Sequence, residues 1–158
     1  MKIRIQEADE NHLDQVFDLL WGLAVHHKME HKFLITKDQF IKERDQYGCL
    51  VALSENQKVV GIATYFFTYH TWVGRSIYLD DFFVLKSHRK QGVGSMLFEA
   101  LIKLAQEKGC HRIRWQVAEW NTKAIAFYER YGAKIEMEER SCNLEGKALM
   151  EWQSDVKM

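Results

Sequence analysis

The alternation of apolar and polar positions predicts short strands and amphipathic helices along the chain. Over residues 2–7, Ile3 and Ile5 alternate with polar residues, as in a half-buried strand. Asp9 is then expected to cap a helix whose apolar side chains recur every three or four positions: Leu13, Val16, Phe17, Leu20, Leu23 and Ala24. The pattern Thr36-x-x-Gln39 is a capping box and predicts a second short helix to about Gln46.

The middle of the chain is predicted to build a sheet. Apolar residues dominate 49–54 and 58–69 around the turn residues Glu55-Asn56-Gln57, as in a hairpin. The run 77–85 is apolar at nearly every position except Asp80 and Asp81, as in a strand buried on both faces, where adjacent carboxylates point to opposite sides. A helical pattern then begins at the glycines near residue 93 and ends at Gly109.

The last third of the chain continues the mixture of strands and helices. Residues 111–117 alternate as in a strand, and Asn121 is expected to cap a helix that runs to Tyr131 and stops at Gly132. Residues 134–140 and 147–152 are predicted to form a last pair of strands. The resulting order βααβββαβαββ belongs to the mixed α/β class and forms one predicted domain, 1–158.

Composition narrows the classes of function. Hydrophobic residues make up 47% and charged residues 28% of the 158 positions, which is typical of a soluble globular protein. The formal net charge is zero, so no general attraction to nucleic acid or to an anionic membrane is expected. No apolar run approaches the ~20 residues of a membrane span, no signal peptide is evident, and the predicted location is the cytoplasm. The three cysteines lack C-x-x-C spacing, so neither a metal site nor a disulfide framework is expected.

A basic, glycine-containing turn links the apolar strand to the following helix. It reads Arg89-Lys90-Gln91-Gly92-Val93-Gly94-Ser95. Backbone N–H groups and the positive end of the helix dipole attract anions, and glycine allows a phosphate to approach closely. The turn lacks the Lys-Ser/Thr pair of a P-loop and the third glycine of a dinucleotide fold. The sequence therefore predicts a site for a pyrophosphate of another kind.

The same turn resembles the R/Q-x-x-G-x-G/A acetyl-CoA pyrophosphate signature of the GNAT acyltransferase superfamily. The segments YLDDFFV (78–84), VAEWN (117–121) and FYERYGA (127–133) are similar to those of the spermidine/spermine (diamine) N-acetyltransferase branch. The resemblance covers roughly 60–133 well. It implies the GNAT fold, acetyl-CoA as acetyl donor and a homodimer.

The resemblance also implies which residues contact the donor. Backbone groups of the strand should bond the pantetheine arm like an added strand, the basic turn should take the pyrophosphate, and the start of the next helix should add secondary contacts. The predicted cofactor residues are Phe82, Phe83, Val84, Arg89, Lys90, Gln91, Gly92, Val93, Gly94, Ser95, Asn121 and Ala124.

Two residues match catalytic positions of that branch. Tyr128 ends the family segment N-x-x-x-I-x-F-Y and is expected to stabilise the departing thiolate, although a core aromatic on an amphipathic helix is the alternative. Asp80 stands where the family usually has a glutamate that removes the amine proton through water, and the shorter side chain makes a water relay more necessary. The alternative for Asp80 and Asp81 is bonding to neighbouring strands or to Arg75.

Substrate binding is predicted from local charge. Asp81 matches a family acid that helps hold a cationic substrate, Glu30 and Glu119 are further anions, and Trp120 could support an aliphatic chain. Where the polyamine enzymes carry an acid beside a tyrosine, this chain has His26 and His27, so a shorter diamine or thialysine becomes comparable to spermine as substrate. A CoA-binding sensor and an acetyltransferase of protein lysines or amino termini are the alternative functions.

Overall fold

A computed structural model describes residues 2–138, 140–153 and 156. These residues divide into two compact units, Met1–Gln116 and Val117–Met158. The first unit contains the strands β1 (Arg4–Glu7), β2 (Gly48–Leu53), β3 (Val59–His70), β4 (Gly74–Val84) and β5 (Arg112–Arg114) and the helices α1 (Leu13–His26), α2 (Lys37–Lys42) and α3 (Val93–Glu107). The second contains α4 (Thr122–Glu129) and α5 (Gly146–Met150).

The five strands form one sheet whose spatial order follows the chain, β1-β2-β3-β4-β5. The first four strands pair antiparallel, whereas β5 pairs parallel to β4. A parallel neighbour requires a crossover connection, and α3 supplies it between β4 and β5. The predicted mixed α/β class is therefore confirmed.

Helices cover both faces of the sheet. On one face, α1 and α2 pack with alternate residues of β2 and β3 in an apolar cluster that includes Val16, Phe40, Val51 and Ile62. On the other face lies α3, which approaches so closely that a Cβ added at Gly61 would stand 2.9 Å from Leu97 Cδ1. Within the described residues, no helix combines the length and the apolar character that crossing a membrane requires.

The start of α1 differs from the prediction. His12, not Asp9, occupies the position before the helix. Asp9 instead closes the preceding turn, because its Oδ1 accepts a hydrogen bond from the Asn11 N–H (2.9 Å) and lies 2.8 Å from His12 Nδ1. An Asx turn thus competes successfully with a helix cap for the same carboxylate.

The capping box of α2 is half formed. The Thr36 hydroxyl accepts from the Gln39 N–H at 3.2 Å, as predicted. The Gln39 side chain, however, donates forward to Glu43 Oε1 at 3.1 Å and does not return to Thr36. The helix ends at Lys42, and the remainder of the predicted helix is a separate 3-10 turn, Arg44–Gln46.

The predicted last pair of strands is wrong. Residues 134–138 and 140 form no strand, and Glu139 lies outside the described residues. In the second predicted strand, α5 occupies Gly146–Met150. Lys147, Ala148, Leu149 and Met150 are all strong helix formers. This local preference prevails because, within the part of the chain that the structure describes, no strand pairs with the segment.

Candidate functional site

The start of α3 provides a group of backbone donors. Gly92 precedes the helix with φ +80°, a left-handed conformation that glycine adopts without steric cost. In the described structure, no side chain caps the helix and its first turn carries no acidic residue. The N–H groups of Val93, Gly94 and Ser95 therefore form the positive end of the helix dipole, and no carboxylate in the first turn competes for them. This arrangement suits an anionic group.

Arg89 is held beside this turn by the end of β4. Its Nε donates to the Val84 carbonyl at 2.8 Å, and its guanidinium lies 5.3 Å from the centre of the Phe83 ring. On the other side of the turn, the Gln91 amide donates to the Ser87 carbonyl at 2.9 Å. Lys90, at the tip, is exposed with φ +61°. The turn thus presents fixed positive charge next to the helix start.

The strand leading into the turn changes its pairing halfway. The β4–β5 ladder joins only Ser76–Tyr78 to Arg112–Arg114, so the second half of β4 pairs with β3 alone. The prediction of a strand buried on both faces holds for Ile77 and Leu79, whereas Phe82, Phe83 and Val84 are partly exposed. Beyond Tyr78, this edge of β4 can therefore accept an extended ligand in place of a strand.

A β-bulge places the two aspartates. On β3, Thr64 lies opposite Asp81 and the next residue, Tyr65, lies opposite Leu79, which leaves Asp80 as an extra residue. The simple alternation predicted for the two carboxylates is therefore interrupted. Asp80 is exposed, whereas Asp81 is partly buried and its Oδ2 accepts a hydrogen bond from the Thr64 hydroxyl at 3.0 Å.

Burial controls the ionisation of both carboxyl groups. It raises the pKa of Asp81 to about 6, with a further contribution from the Asp80 charge, while the Thr64 hydrogen bond acts in the opposite direction. Although Asp80 is an exposed residue, partial desolvation of its carboxyl group by the surrounding protein also raises its pKa. Of the two alternative partners, a neighbouring strand does bind Asp81, through Thr64 on β3. Arg75 lies over the Phe67 ring at 4.7 Å, and among the described ion pairs none joins it to either aspartate. The site thus contains carboxylates that are more basic than ordinary aspartates.

In the second unit, α4 carries the predicted tyrosine. Asn121 begins the helix as predicted, with its Oδ1 accepting from the Ala124 N–H at 3.2 Å, so both residues serve the cap. The Tyr128 ring is buried on this helix and contacts Phe127 at a centroid distance of 5.3 Å. Burial raises the pKa of the Tyr128 hydroxyl to about 12. Tyr128 is therefore protonated at neutral pH.

The remaining predicted substrate residues lie at helix ends and in loops. In the first unit, His26 ends α1 and His27 follows it, with their rings edge to face at 5.4 Å. Burial and the neighbouring His26 lower the pKa of His27, which favours its neutral form. Glu30 begins an exposed 3-10 turn.

Glu119 and Trp120, in the second unit, are exposed in the segment before α4, and Trp120 is 63% accessible. They directly precede Asn121, the residue that caps α4.

Thr64 was not predicted to belong to the site. The only sequence signal is a polar residue within the apolar stretch 59–67, and side-chain alternation alone does not indicate its partner. The contact with Asp81 depends on the register of β3 and β4 across the bulge.

Comparisons with known proteins bear on the family and the fold. The family model for "Acetyltransferase (GNAT) family" matches residues 13–133. A thialysine N-epsilon-acetyltransferase of Mus musculus is 33% identical over 162 residues, which cover 94% of this chain and 95% of that protein. Its Bos taurus counterpart is 34% identical over 163 residues, covering 94% and 96%. Among solved structures, an integron cassette protein from the mobile metagenome of V. cholerae aligns with a TM-score of 0.77 at 23% identity, covering 96% of this chain and 97% of that one.

Proposed function

The chain belongs to the GNAT acetyltransferase family and is an N-acetyltransferase, and on this premise we propose that it moves the acetyl group of acetyl-CoA to the primary amine of a small cationic substrate. The observation that carries the proposal is the start of α3, where a left-handed Gly92 precedes a first helical turn without a side-chain cap. In the family, this turn receives the pyrophosphate of the acetyl donor.

The residues at this turn fit the donor. The N–H groups of Val93–Ser95 can receive the pyrophosphate, and Arg89 adds a guanidinium held in place by Val84 and Phe83. The second half of β4 can pair with the amide groups of the pantetheine arm. When bound, the donor supplies an activated thioester, and the chain's residues orient it and handle the protons.

The two aspartates have different roles toward the amine: one removes its proton and the other binds an ammonium group. An alkyl ammonium has a pKa of ~10.4, so forming the neutral nucleophile at pH 7 costs roughly 4 to 5 kcal/mol. Asp80, made more basic by partial burial, removes this proton directly or through one water. Asp81 titrates near pH 6 and is mostly ionised at pH 7, so it can bind an ammonium group of the substrate.

Tyr128 assists the leaving group. As the new N–C bond forms and the C–S bond breaks, negative charge develops on sulfur. Proton transfer from a tyrosine of pKa about 12 to a thiolate of pKa ~8.5 is uphill by about 5 kcal/mol. A hydrogen bond from the Tyr128 hydroxyl that stabilises the thiolate is the more favourable role.

The substrate class follows from the charges near the end of α1. His26 and His27 replace the acid and tyrosine of the polyamine enzymes, and the lowered pKa of His27 favours its neutral form. A long polycation such as spermine therefore loses one counter-charge, whereas a short amine such as thialysine, on which the Mus musculus and Bos taurus relatives are named to act, needs fewer. We therefore place thialysine and short diamines ahead of spermine.

The test is acetyl-CoA turnover, measured as free thiol release with thialysine, lysine, putrescine, spermidine, spermine and a lysine peptide. We expect preference for one small amine. Tyr128→Phe should lower kcat by one to three orders of magnitude, on the order of typical acid and electrostatic terms, and leave the KM for acetyl-CoA nearly unchanged.

Tyr131→Phe is the matched control, because it removes a tyrosine hydroxyl in the turn that follows α4. Its kcat should stay within about twofold of the unmodified protein. An unchanged kcat in Tyr128→Phe would make Tyr128 a packing residue. Tight CoA binding without thiol release for any amine would refute small-amine acetylation and favour the sensor function, while preference for the peptide would favour protein acetylation.

Two parts of the proposal rest on the sequence alone. The resemblance predicts a homodimer, and composition predicts a cytoplasmic protein that binds neither nucleic acid nor membrane. Both stay predictions.

A further inference from the structure

Three side chains form a row across the middle of the sheet. Cys49 on β2 lies opposite Thr64 on β3, and Thr64 lies opposite Asp81 on β4. Directly opposed residues of antiparallel strands point to the same face of a sheet. Cys49 belongs to the apolar cluster under α1, so the row lies on that face. Thr64 is only 5% exposed and is thus a polar residue in an apolar setting.

The Thr64 hydroxyl makes two hydrogen bonds to one residue. It donates to Asp81 Oδ2 at 3.0 Å and accepts from the Asp81 backbone N–H at 3.0 Å. One rigid, β-branched side chain therefore fixes both the backbone and the carboxylate of Asp81. These contacts stand directly beside the bulge residue Asp80, where regular strand pairing alone does not define the direction of the side chains.

We propose that Thr64 is a positioning residue of the amine site, which holds the Asp81 carboxylate next to the bulge in the orientation that receives the substrate ammonium. The inference rests on the proposed function, in which Asp81 binds the amine. Thr64 itself acts through Asp81 and would contact neither the amine nor the thioester.

The titratable groups near Asp81 on the sheet are few. On β4, the Asp80 charge raises the pKa of Asp81, and on β2 burial raises the pKa of the Cys49 thiol to about 12, so that thiol is neutral. The Thr64 hydrogen bond lowers the pKa of Asp81. On β5, Arg112 and Arg114 lie opposite Ser76 and Tyr78, away from the bulge.

The helices add little charge next to Asp81. The buried side chains of α1 are apolar, and two of its charged residues, Asp14 and Asp18, pair with Lys37. Its last residue, His26, is exposed. The charged residues of α3, which covers the other face, are exposed: Glu99, Lys103 and Glu107. The Thr64 hydrogen bond thus favours the ionised form of Asp81.

Thr64→Val is the informative change, because it keeps the shape and removes both hydrogen bonds. Thr64→Ser restores the hydroxyl. Thr68→Val is the matched control on the same strand, since the Thr68 hydroxyl is buried and has no hydrogen-bond partner within the part of the chain that the structure describes.

Two readouts separate positioning from packing. The first is the titration of Asp81, followed by the ¹³Cγ signals of the aspartates and assigned by its loss in Asp81→Asn. Its midpoint should rise from about 6 in the unmodified protein by on the order of one pH unit in Thr64→Val. The second is kinetic: at pH 7 the KM for the amine should rise by roughly 3- to 10-fold, while kcat and the KM for acetyl-CoA stay within about twofold. Thr64→Ser should recover most of both effects, and Thr68→Val should show neither.

An unchanged Asp81 midpoint and amine KM in Thr64→Val would overturn the inference, as would equal effects of Thr64→Val and Thr68→Val. If Thr64→Val does not fold, the smaller Thr64→Ala undergoes the same two measurements. Absence of thiol release by the unmodified protein with every amine would refute the proposed function instead. The ¹³C titration would still decide whether Thr64 controls the carboxylate of Asp81.

Discussion

Replacement of Asp81 by asparagine should stabilise the fold at neutral pH and weaken amine binding. Asp81 is partly buried on β4, where burial and the Asp80 charge raise its pKa to about 6 from 3.8. The folded state therefore binds the proton of Asp81 more tightly than the unfolded state does. The stability that this proton contributes is complete below pH 4 and is lost as the pH rises through 6.

The size of the effect follows from the two pKa values. A difference of about 2 units at roughly 1.4 kcal/mol each gives about 3 kcal/mol of instability at pH 7 that asparagine, which does not ionise, would remove. The Thr64 hydroxyl can donate to the asparagine Oδ1 as it donates to Asp81 Oδ2, so this hydrogen bond is kept. Any unsatisfied amide N–H of the asparagine would reduce the gain by about 1 to 3 kcal/mol.

The assay is urea unfolding of the unmodified protein and Asp81→Asn at pH 4, 5, 6 and 7. The difference in unfolding free energy between them should move in favour of Asp81→Asn by about 2.5 kcal/mol from pH 4 to pH 7, because the unfolded carboxyl is already partly ionised at pH 4. Asp45→Asn, at an exposed position, is the control and should change the unfolding free energy by no more than about 0.5 kcal/mol. In parallel, the KM for the amine should rise in Asp81→Asn alone.

A difference between Asp81→Asn and the unmodified protein that is constant from pH 4 to pH 7 would refute the reasoning. It would mean that Asp81 ionises in the folded protein as it does in the unfolded chain. Stabilisation without a change in amine KM would instead mean that the buried carboxylate does not bind substrate.

Two glycine substitutions test other parts of the site and the core. Gly92→Ala and Gly109→Ala both place a side chain in a left-handed conformation with open space around the new Cβ, so each should lower the free energy of unfolding in urea by about 1 to 2 kcal/mol. Only Gly92→Ala should also raise the KM for acetyl-CoA. Equal KM values in the two variants would mean that Gly92 does not belong to the donor site. Gly48→Ala would place a Cβ against the Tyr65 ring, closer than real contacts allow, and should lower the free energy of unfolding by about 1 to 3 kcal/mol. Gly22→Ala, whose Cβ meets nothing within 4 Å, should not lower it. A Gly48→Ala protein of unchanged stability would contradict the packing of Tyr65 against Gly48.

Local chemistry made much of the fold predictable from the sequence. The cap at Thr36 and the cap at Asn121 form because each side chain meets an N–H only three residues away. Gly92 adopts its left-handed conformation because glycine lacks a Cβ, which is also a local property. Apolar runs mark the central strands because the side chains of those strands are buried. The candidate anion site at the start of α3 is therefore predictable from the order of its residues.

Tertiary structure alone decided the surroundings of the aspartates. The hydrogen bond between Thr64 and Asp81 joins residues 17 positions apart. It forms only because the pairing of β3 with β4 places Thr64 opposite Asp81, next to the bulge. No periodicity along the chain encodes that bulge, and the raised pKa of Asp81 depends on burial by distant segments. Features that depend on residues a few positions apart, such as helix caps and glycine turns, are therefore readable from the sequence. Strand register, burial and the state of a carboxylate are properties of contacts between remote segments, and only the folded chain decides them.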